Sequence, residues 1–351
     1  MYLNNNSANC TWRSLARNKL LNFAYQFGLE RAGRFIFKNY LTVLNYHRID
    51  DPNRHGFDSF KPNVSARRED FAQQMDYLMR WFKVVSIQEI VRWLDGKSIL
   101  PSHAALITFD DGYADNFLNA YPILKERNLP AVVFLTSGHI QNDAPFYWDL
   151  VAYCFYHTPQ DTIIFPDGHQ EHWNNKTEKD RVSSNLIEKL KILPDDEKTA
   201  WIARLPELLN VSIQKGYFKS LMMNWDQIRE MNKNGIDFGG HTINHPILTR
   251  VSLRRAEDEI AGSRTRIEDE LGKPILGFAY PNGGKADFNQ EIEHLTANSG
   301  YRVAFTLLNG PTSFGEAMQN PYAIRRVFIS HKHTLAQFSF LVNGFNRYRP
   351  S

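Results

Sequence analysis

The sequence predicts an α/β fold in which βα units surround a parallel sheet or barrel. From Leu41 onward, short apolar runs alternate with longer segments of helical period. This alternation is typical of parallel strands whose crossover connections are helices. The second observation is a hydrophobic content of 42% in 351 residues, which is enough to bury a large core. A folded domain with a large core is therefore expected.

Seven apolar runs have the length of strands, and the segments between them have the period of helices. The predicted strands are residues 41–46, 104–109, 131–135, 236–239, 275–279, 302–306 and 323–329. The predicted helices are residues 69–80, 87–94, 113–127, 225–232, 253–271 and 288–299. Helix 253–271 has the clearest period, with Leu253, Ile260, Ile267 and Leu271 near one face. We expect that face to pack on the sheet.

The alternation lapses between Pro145 and Met223. This stretch contains Trp and Tyr residues, a polar loop around residues 166–179, and helix-like segments from 180 to 209. Because the βα pattern resumes afterwards, we interpret residues 145–223 as a mostly helical insertion rather than an independent domain. The predicted organisation is an N-terminal helical segment over 1–40 and one domain over 41–351.

The charge balance and the cysteine content limit which kinds of ligand the protein is expected to bind. The 41 Lys and Arg residues nearly balance 38 Asp and Glu residues, which leaves a formal net charge of +3. So small an excess does not favour nucleic-acid binding, and a neutral or mixed-charge substrate fits better. Cys10 and Cys154 lack the paired spacing of a zinc knuckle or a disulfide framework, and both are predicted to be free thiols.

The N-terminal segment mixes basic and apolar residues. Between residues 12 and 40 no apolar run has the length of a signal sequence or of a membrane span. We expect a cytoplasmic location on this basis. Two interpretations of the segment stay open: a helix packed on the catalytic domain, or an amphipathic helix in peripheral contact with a membrane.

Two adjacent carboxylates end the second predicted strand, where residues 108–112 read TFDDG. Barrel enzymes carry their reactive groups at the carboxyl ends of strands. Neighbouring side chains on extended backbone point to opposite sides, so Asp110 and Asp111 can have different tasks. One can bind a metal while the other accepts a proton. A solvated turn is the alternative if the motif is taken alone.

A second motif follows the fourth predicted strand, where residues 239–246 read GGHTINHP. His241 and His245 come onto one face if this stretch forms a helical turn. Two histidines and one aspartate would supply the three protein ligands of a catalytic zinc site and leave one position open.

Together, TFDDG and HTxxH resemble the polysaccharide deacetylase family, the NodB-homology group within carbohydrate esterase family four. The resemblance extends from about Leu41 to the strand ending near Ile329. It implies a distorted (β/α) barrel of about seven strands that binds a divalent metal, most often Zn²⁺. It also implies that Asp110 is the catalytic base and that Asp111, His241 and His245 bind the metal.

The third family motif usually reads RxPYG, whereas residues 279–283 here read AYPNG. The match implies that the backbone N–H of Asn282 donates to the oxyanion. The motif arginine, which usually pairs with the base, is missing. Arg325 or Arg326 from the last predicted strand can replace it, and we favour Arg326. The alternative is that both arginines lie on the surface.

The proton donor of the family's last motif has no clear match. His47 ends the first predicted strand within the pair Tyr46-His47, and it is either a site residue or a packed histidine. His331 and His333 are predicted to be surface residues. The aromatic run 146–149, FYWD, either stacks on a sugar ring or anchors the insertion.

These features predict hydrolysis of the N-acetyl group of amino sugars in a cell-surface polysaccharide or its precursor. An N-acetylated glycan is thus the expected partner. The alternatives are an esterase or amide hydrolase on the same barrel, which product analysis would separate, and a catalytically silent barrel that only binds glycan. Retention of Asp110 beside all three ligands argues against the silent barrel.

Overall fold

Seven parallel strands close into a barrel in the computed structural model, which describes residues 19, 21–345 and 347. In chain order these strands are β1 (Tyr40–Tyr46), β2 (Ala104–Phe109), β3 (Ala131–Leu135), β4 (Ile236–Gly240), β5 (Gly277–Ala279), β6 (Val303–Asn309) and β7 (Ile324–Phe328). Each strand pairs in parallel with the next, and β1 closes the ring because it pairs with both β2 and β7. The predicted distorted seven-stranded barrel is confirmed.

Alternate residues of the strands contribute to two apolar clusters. Leu41, Leu106 and Phe134 belong to one set, together with residues of the helix Ile87–Leu94. Leu44 and Ile107 belong to the other set, which packs against the helix Arg68–Trp81 and other surrounding helices. Such alternation is expected when one side of each strand faces the barrel interior and the other faces the outer helices.

The helices surround the barrel or lie in the insertion. Their bounds are Arg31–Ile36, Arg68–Trp81, Ile87–Leu94, Tyr121–Glu126, Tyr147–His157, Lys176–Ile192, Asp195–Ala203, Leu205–Leu208, Tyr217–Leu221, Trp225–Lys233, Leu253–Leu271, Gln290–Asn298, Phe314–Gln319 and Leu335–Phe340. Short strands lie at Arg48–Ile49, Val64–Ala66, Lys83–Val84 and Thr312–Ser313. Within the described residues, no helix combines the length and the apolar character needed to cross a membrane.

The predicted helix over 113–127 is present as helical backbone over residues 114–126, but it is not a regular α-helix throughout. A wide π-type turn over Asn116–Ala120 precedes a short α-helix over Tyr121–Glu126. Pro122 has no N–H to donate to the preceding turn, so a regular helix cannot continue through it. The side chain of Asn116 also donates to the backbone oxygen of His47, at 2.7 Å, and so serves the end of β1.

The polar loop predicted around residues 166–179 is also partly wrong. Strands Thr162–Ile164 and Gln170–His172 form an antiparallel hairpin there. The following helix begins at Lys176, where the Asn175 side chain caps it by accepting from the Glu178 N–H. The other helices of the insertion lie over Tyr147–His157, Asp195–Ala203, Leu205–Leu208 and Tyr217–Leu221.

Candidate active site

One cleft at the carboxyl end of the barrel collects most of the predicted site residues. It encloses about 570 Å³, a volume typical of ligand sites. Asp110 and Asp111 follow β2, and His241 and His245 follow β4. The cleft is lined by these four residues together with His47 and Asn282.

Asp111, His241 and His245 bring three potential metal ligands together. One donor atom from each lies within 4.8 Å of the others. The Oδ1 atom of Asp111 is 3.6 Å from Nε2 of His241 and 3.6 Å from Nε2 of His245. One carboxylate and two imidazoles facing a common point form the donor set of a catalytic zinc centre.

The Asp111 carboxylate fits a cation because no group of the described residues satisfies it. Both of its oxygens are buried, and neither has a hydrogen-bond partner within the described part of the chain. Burial raises the pKa of Asp111 well above its usual value, and the neighbouring Asp110 carboxylate adds to this increase. A divalent ion between the three side chains would offset the energetic cost of burying this carboxylate.

His241 is oriented by a backbone contact of the kind that accompanies metal-binding histidines. Its Nδ1 lies 2.6 Å from the carbonyl oxygen of Ala279, at the end of β5. The carbonyl can only accept, so Nδ1 carries the proton and Nε2 keeps its lone pair toward Asp111. Burial lowers the pKa of His241, which also favours the neutral imidazole.

The two histidines lie on an irregular loop, not on the helical turn considered from their spacing. Thr242 and His245 both adopt positive φ, at 67° and 59°. The Thr242 hydroxyl accepts the His245 N–H at 2.9 Å. This turn rotates the imidazoles toward each other and places their ring centroids 4.8 Å apart.

Glu259 ties this loop to the helix Leu253–Leu271. Its buried carboxylate accepts from the N–H groups of Ile243 and Asn244, each at 2.8 Å, and from the Asn244 side chain. On the other side, a Cβ on Gly138 would lie 2.6 Å from the Ile243 oxygen, so only glycine permits this close packing. The loop is therefore held from two directions.

Arg326 replaces the missing motif arginine. It is fully buried in the barrel and donates to both Asp110 oxygens, at 2.7 and 2.8 Å, while Asn45 donates to Oδ2 at 2.9 Å. Burial alone would raise the pKa of Asp110, but Arg326 outweighs it and holds this pKa at about 2. Asp110 is therefore ionised at neutral pH, and three donors leave part of its acceptor capacity free.

His47 lies beside Asp110 and lines the cleft. Its Nε2 is 4.0 Å from the Asp110 Oδ2 atom, and its side chain is 13% exposed. Burial lowers the pKa of His47 to about 4, so the ring is neutral at pH 7. The Nδ1 atom has no hydrogen-bond partner among the residues that the structure describes.

Asn282 adopts a left-handed conformation after β5, with φ of 60°. Its neighbour Gly283 donates to Pro281 and accepts from the N–H of Leu307, which fixes the loop. No acceptor for the Asn282 N–H lies among the described residues. A free N–H on the cleft wall suits an incoming oxyanion.

The remaining candidate residues lie away from the two carboxylates. Arg325 is half-buried and donates to the backbone oxygen of Asn309. His331 and His333, predicted on the surface, are half-buried outside the cleft, and Nδ1 of His331 bonds to the Val64 oxygen. Cys154 is a free buried thiol, and Cys10 lies outside the described residues.

The aromatic run supplies one wall of the cleft. Tyr147 and Trp148 line it, together with Ile187 and Lys191 from the insertion helix Lys176–Ile192. The Trp148 ring meets His245 nearly at a right angle, with 4.9 Å between centroids. The run therefore anchors the insertion and also reaches the cleft.

A seven-stranded barrel with an Asp-His-His cluster and a separate paired carboxylate defines a class of hydrolase. Consistent with this, a family profile described as polysaccharide deacetylase matches residues 97–175 and 198–304, more than half of the chain. YxkH of Bacillus subtilis, which carries the family's name, is 21% identical over 291 residues, covering 83% of this chain and 71% of that protein.

Other relatives agree in family and fold. Poly-beta-1,6-N-acetyl-D-glucosamine N-deacetylase of Staphylococcus epidermidis is 26% identical over 215 residues, 58% of this chain and 72% of that protein. The solved Streptococcus pyogenes deacetylase PplD, in complex with acetate, superposes with a TM-score of 0.57 at 18% identity, covering 86% of this chain and 98% of that one. The solved structure of IcaB from Ammonifex degensii superposes with a TM-score of 0.55 at 20% identity, covering 87% of this chain and 98% of that one.

The chain belongs to the polysaccharide deacetylase family. As a member it is a hydrolase that acts on carbon–nitrogen bonds other than peptide bonds.

Proposed function

We propose that this protein uses Zn²⁺ to remove the acetyl group from N-acetylated amino sugars of a cell-surface polysaccharide or its precursor. One observation carries this proposal. A potential metal-binding cluster with an unsatisfied carboxylate lies in the same cleft as a second carboxylate that is paired with Arg326 and ionised. Ligand and base are thereby assigned to different residues, as hydrolysis of an amide by activated water requires.

Asp111, His241 and His245 would hold the ion. When bound, a zinc ion polarises a carbonyl and lowers the pKa of a water to about 7. Asp110 is the base that accepts a proton from the attacking water, because its carboxylate is ionised and keeps free acceptor capacity. Arg326 fixes the plane of that carboxylate through its two parallel contacts.

Asn282 and His47 complete the reaction. The Asn282 N–H donates to the oxygen that becomes negative as the tetrahedral carbon forms. The amine must be protonated as it leaves, and His47 is the candidate donor. The proton that Asp110 takes from water has a route to the amine through His47, whose Nε2 faces the Asp110 Oδ2 atom in the cleft. A small shift or one bridging water spans the 4.0 Å between them.

The substrate class follows from the cleft and from the relatives. The Staphylococcus epidermidis relative is a poly-beta-1,6-N-acetyl-D-glucosamine N-deacetylase. Here, Trp148 and Tyr147 offer apolar faces to a sugar ring, while Glu188, Lys191 and Asp287 supply polar groups of both signs. Such a mixed lining suits a neutral N-acetylated glycan.

The decisive experiment measures acetate release from β-1,6-linked N-acetylglucosamine oligosaccharides by metal-stripped enzyme, with and without added zinc. Asp110→Asn and Asp111→Asn form a matched pair, because each replaces one of two adjacent buried carboxylates by its amide. We expect zinc to restore release by the wild type. Asp110→Asn should abolish release while zinc still binds, and Asp111→Asn should abolish both.

Two outcomes would contradict the proposal. Equal loss of zinc binding in both variants would remove the division of labour between Asp110 and Asp111. A zinc-loaded wild type that releases acetate from an O-acetylated glycan but not from N-acetylglucosamine oligosaccharides would make the enzyme an esterase.

A further inference from the structure

Asp149, on the insertion helix Tyr147–His157, is a buried carboxylate that the proposed reaction does not use. It is 1% exposed. Its Oδ2 accepts the hydroxyl of Tyr113 at 2.6 Å, and its Oδ1 accepts the N–H of Phe60 at 3.0 Å. A carboxylate this deep in the protein needs such partners to offset its desolvation.

The Tyr113 contact leads directly to the metal-binding cluster. Tyr113 follows Asp110-Asp111-Gly112 in the chain, and its hydroxyl accepts the indole N–H of Trp148 at 2.9 Å. Trp148 in turn packs on His245, with 4.9 Å between ring centroids. A directional chain therefore runs from Trp148 through Tyr113 to Asp149, and each donor has one acceptor.

The Phe60 contact leads to a second part of the cleft lining. Phe60, Pro62 and Asn63 all line the cavity that contains Asp110 and Asp111. The backbone N–H of Phe60 donates the hydrogen bond that connects this part of the lining to Asp149. One carboxylate thus joins the loop after β2, the ring beside His245, and the segment over residues 60–63 that also lines the cleft.

Arg48 supports this arrangement with positive charge. It is 3% exposed, pairs with Asp115 at 2.7 Å, and lies over the Tyr113 ring at 4.9 Å from its centroid. Its guanidinium also interacts electrostatically with Asp149. The group is therefore an internal polar network with its own counter-ion, not a surface ion pair.

We propose that Asp149 is a positioning residue through which the insertion locks Trp148 against His245 and so sets the metal affinity and the shape of the substrate cleft. This inference rests on the proposed function, since it assigns His245 as a metal ligand. The insertion then contributes to the metal centre without supplying a ligand. Groups behind the ligands typically change metal affinity by about 10- to 100-fold.

Asp149→Asn is the first test because it keeps size and shape. An asparagine can still accept from Phe60, but its NH₂ group faces the Tyr113 hydroxyl, which also receives the Trp148 N–H. The Tyr113 O–H then loses its acceptor, so the phenol that receives the Trp148 N–H is less firmly fixed and Trp148 is held less tightly against His245. We expect zinc to bind about ten-fold more weakly, measured by competition with a chromophoric chelator, and KM for the oligosaccharide to rise.

Tyr113→Phe breaks the same chain at its middle, so the two substitutions form a double-mutant cycle. We expect Tyr113→Phe to weaken zinc binding by a similar factor and the double variant to show much less than the product of the two losses. Independent, multiplicative losses would overturn the relay through Tyr113.

Thr158→Val is the matched control. Thr158 caps the carboxyl end of the same helix, is 7% exposed, and donates to the Leu209 oxygen at 2.6 Å, away from the cleft. It should lower the melting temperature without changing zinc affinity. If Asp149→Asn behaves like Thr158→Val, with lower stability and unchanged zinc affinity, Asp149 is only a structural residue and the inference fails. A wild type that binds zinc but does not deacetylate would leave this inference standing and defeat the proposed reaction.

Discussion

In the Asp110–Arg326 pair, the arginine orients the carboxylate of Asp110 and lowers its pKa. A buried arginine with two contacts to a buried carboxylate has little freedom, and each charge depends on the other to offset its desolvation. The low pKa of Asp110 means that this pair stabilises the folded state above pH 3.8 and loses that contribution as the pH falls through about 2.

Replacing Arg326 by Met should therefore change both stability and pH dependence. Without the guanidinium, burial raises the pKa of Asp110, so the acidic limb of kcat/KM should move to higher pH. The free energy of unfolding at pH 7 should fall by about 3 to 5 kcal/mol because an unpaired buried charge remains. Denaturant unfolding and a pH–rate profile check the two effects.

The neighbouring Arg325 provides the control for this prediction. It lies on the same strand but donates to the Asn309 backbone oxygen rather than to a carboxylate. Arg325→Met should leave the pH–rate profile unchanged. A shift of the acidic limb in both variants would show that the effect does not pass through Asp110.

At this scale, much of the site could be predicted from the sequence. Asp110, Asp111, His241 and His245 stand in contiguous motifs, and Arg326 was the favoured of two adjacent arginines on the last strand. Asn45 was missed because it lies within an apolar strand and forms no pattern, although it donates to Asp110. Trp148 and Tyr113 were not connected, because their contact depends on how the insertion folds back.

At the scale of elements, the loop after β4 depends on the helix that follows it. Glu259 accepts three hydrogen bonds from residues 243–244, just before His245. A helix N-terminus or ordinary turn would satisfy these groups locally, but here the acceptor lies in the second turn of the next helix, 15 to 16 residues further along the chain.

Glu259→Gln should loosen this loop. The amide side chain places a donor where Glu259 now has an acceptor, so one contact to residues 243–244 is lost or becomes repulsive. We expect zinc affinity to fall several-fold, with a modest loss of stability of about 1 to 3 kcal/mol. Zinc competition and thermal unfolding measure these quantities.

Glu257→Gln, on the exposed side of the same helix, should change neither value appreciably. If Glu259→Gln retains full zinc affinity, then Thr242 and the packing on Gly138 are sufficient to hold the loop.

Elements with a regular apolar period were predicted well, and elements that contain an irregular stretch were predicted less well. Helix 253–271 was predicted with its observed bounds because its apolar face is regular. The segment 113–127 is helical from residue 114 to residue 126, but its first part widens into a π-type turn that the apolar period does not indicate. Glu259 could not be distinguished by sequence from the other charged residues of its helix.

At the scale of the whole molecule, the metal site influences the stability of the fold. The pKa of Asp111 is raised in the metal-free protein, so the folded state binds a proton that the unfolded chain releases. Stability should then fall as the pH rises from 3.8 toward the raised pKa. Above pH 3.8, burial of this carboxylate without a cation therefore lowers the stability of the folded state.

Asp111→Asn should consequently raise the melting temperature of the metal-free protein at pH 7. The wild type should instead gain stability on adding zinc, by about 2.7 kcal/mol at one hundred times its Kd. Differential scanning calorimetry of both proteins, with zinc and with a chelator, provides the measurement. This account would be contradicted if zinc left the melting temperature of the wild type unchanged, or if zinc still raised the melting temperature of the Asp111→Asn variant.

The closure of the ring through β1 also has a consequence for protein synthesis. Asp110 and Arg326 are 216 positions apart and stand on strands that both flank β1. A ribosome synthesises β7 last of the seven barrel strands. A partly made chain therefore contains the base and all three potential ligands but lacks the guanidinium of Arg326. Catalytic competence is thus postponed until the last strand of the barrel has been translated and docked, and a chain truncated before β7 should be inert.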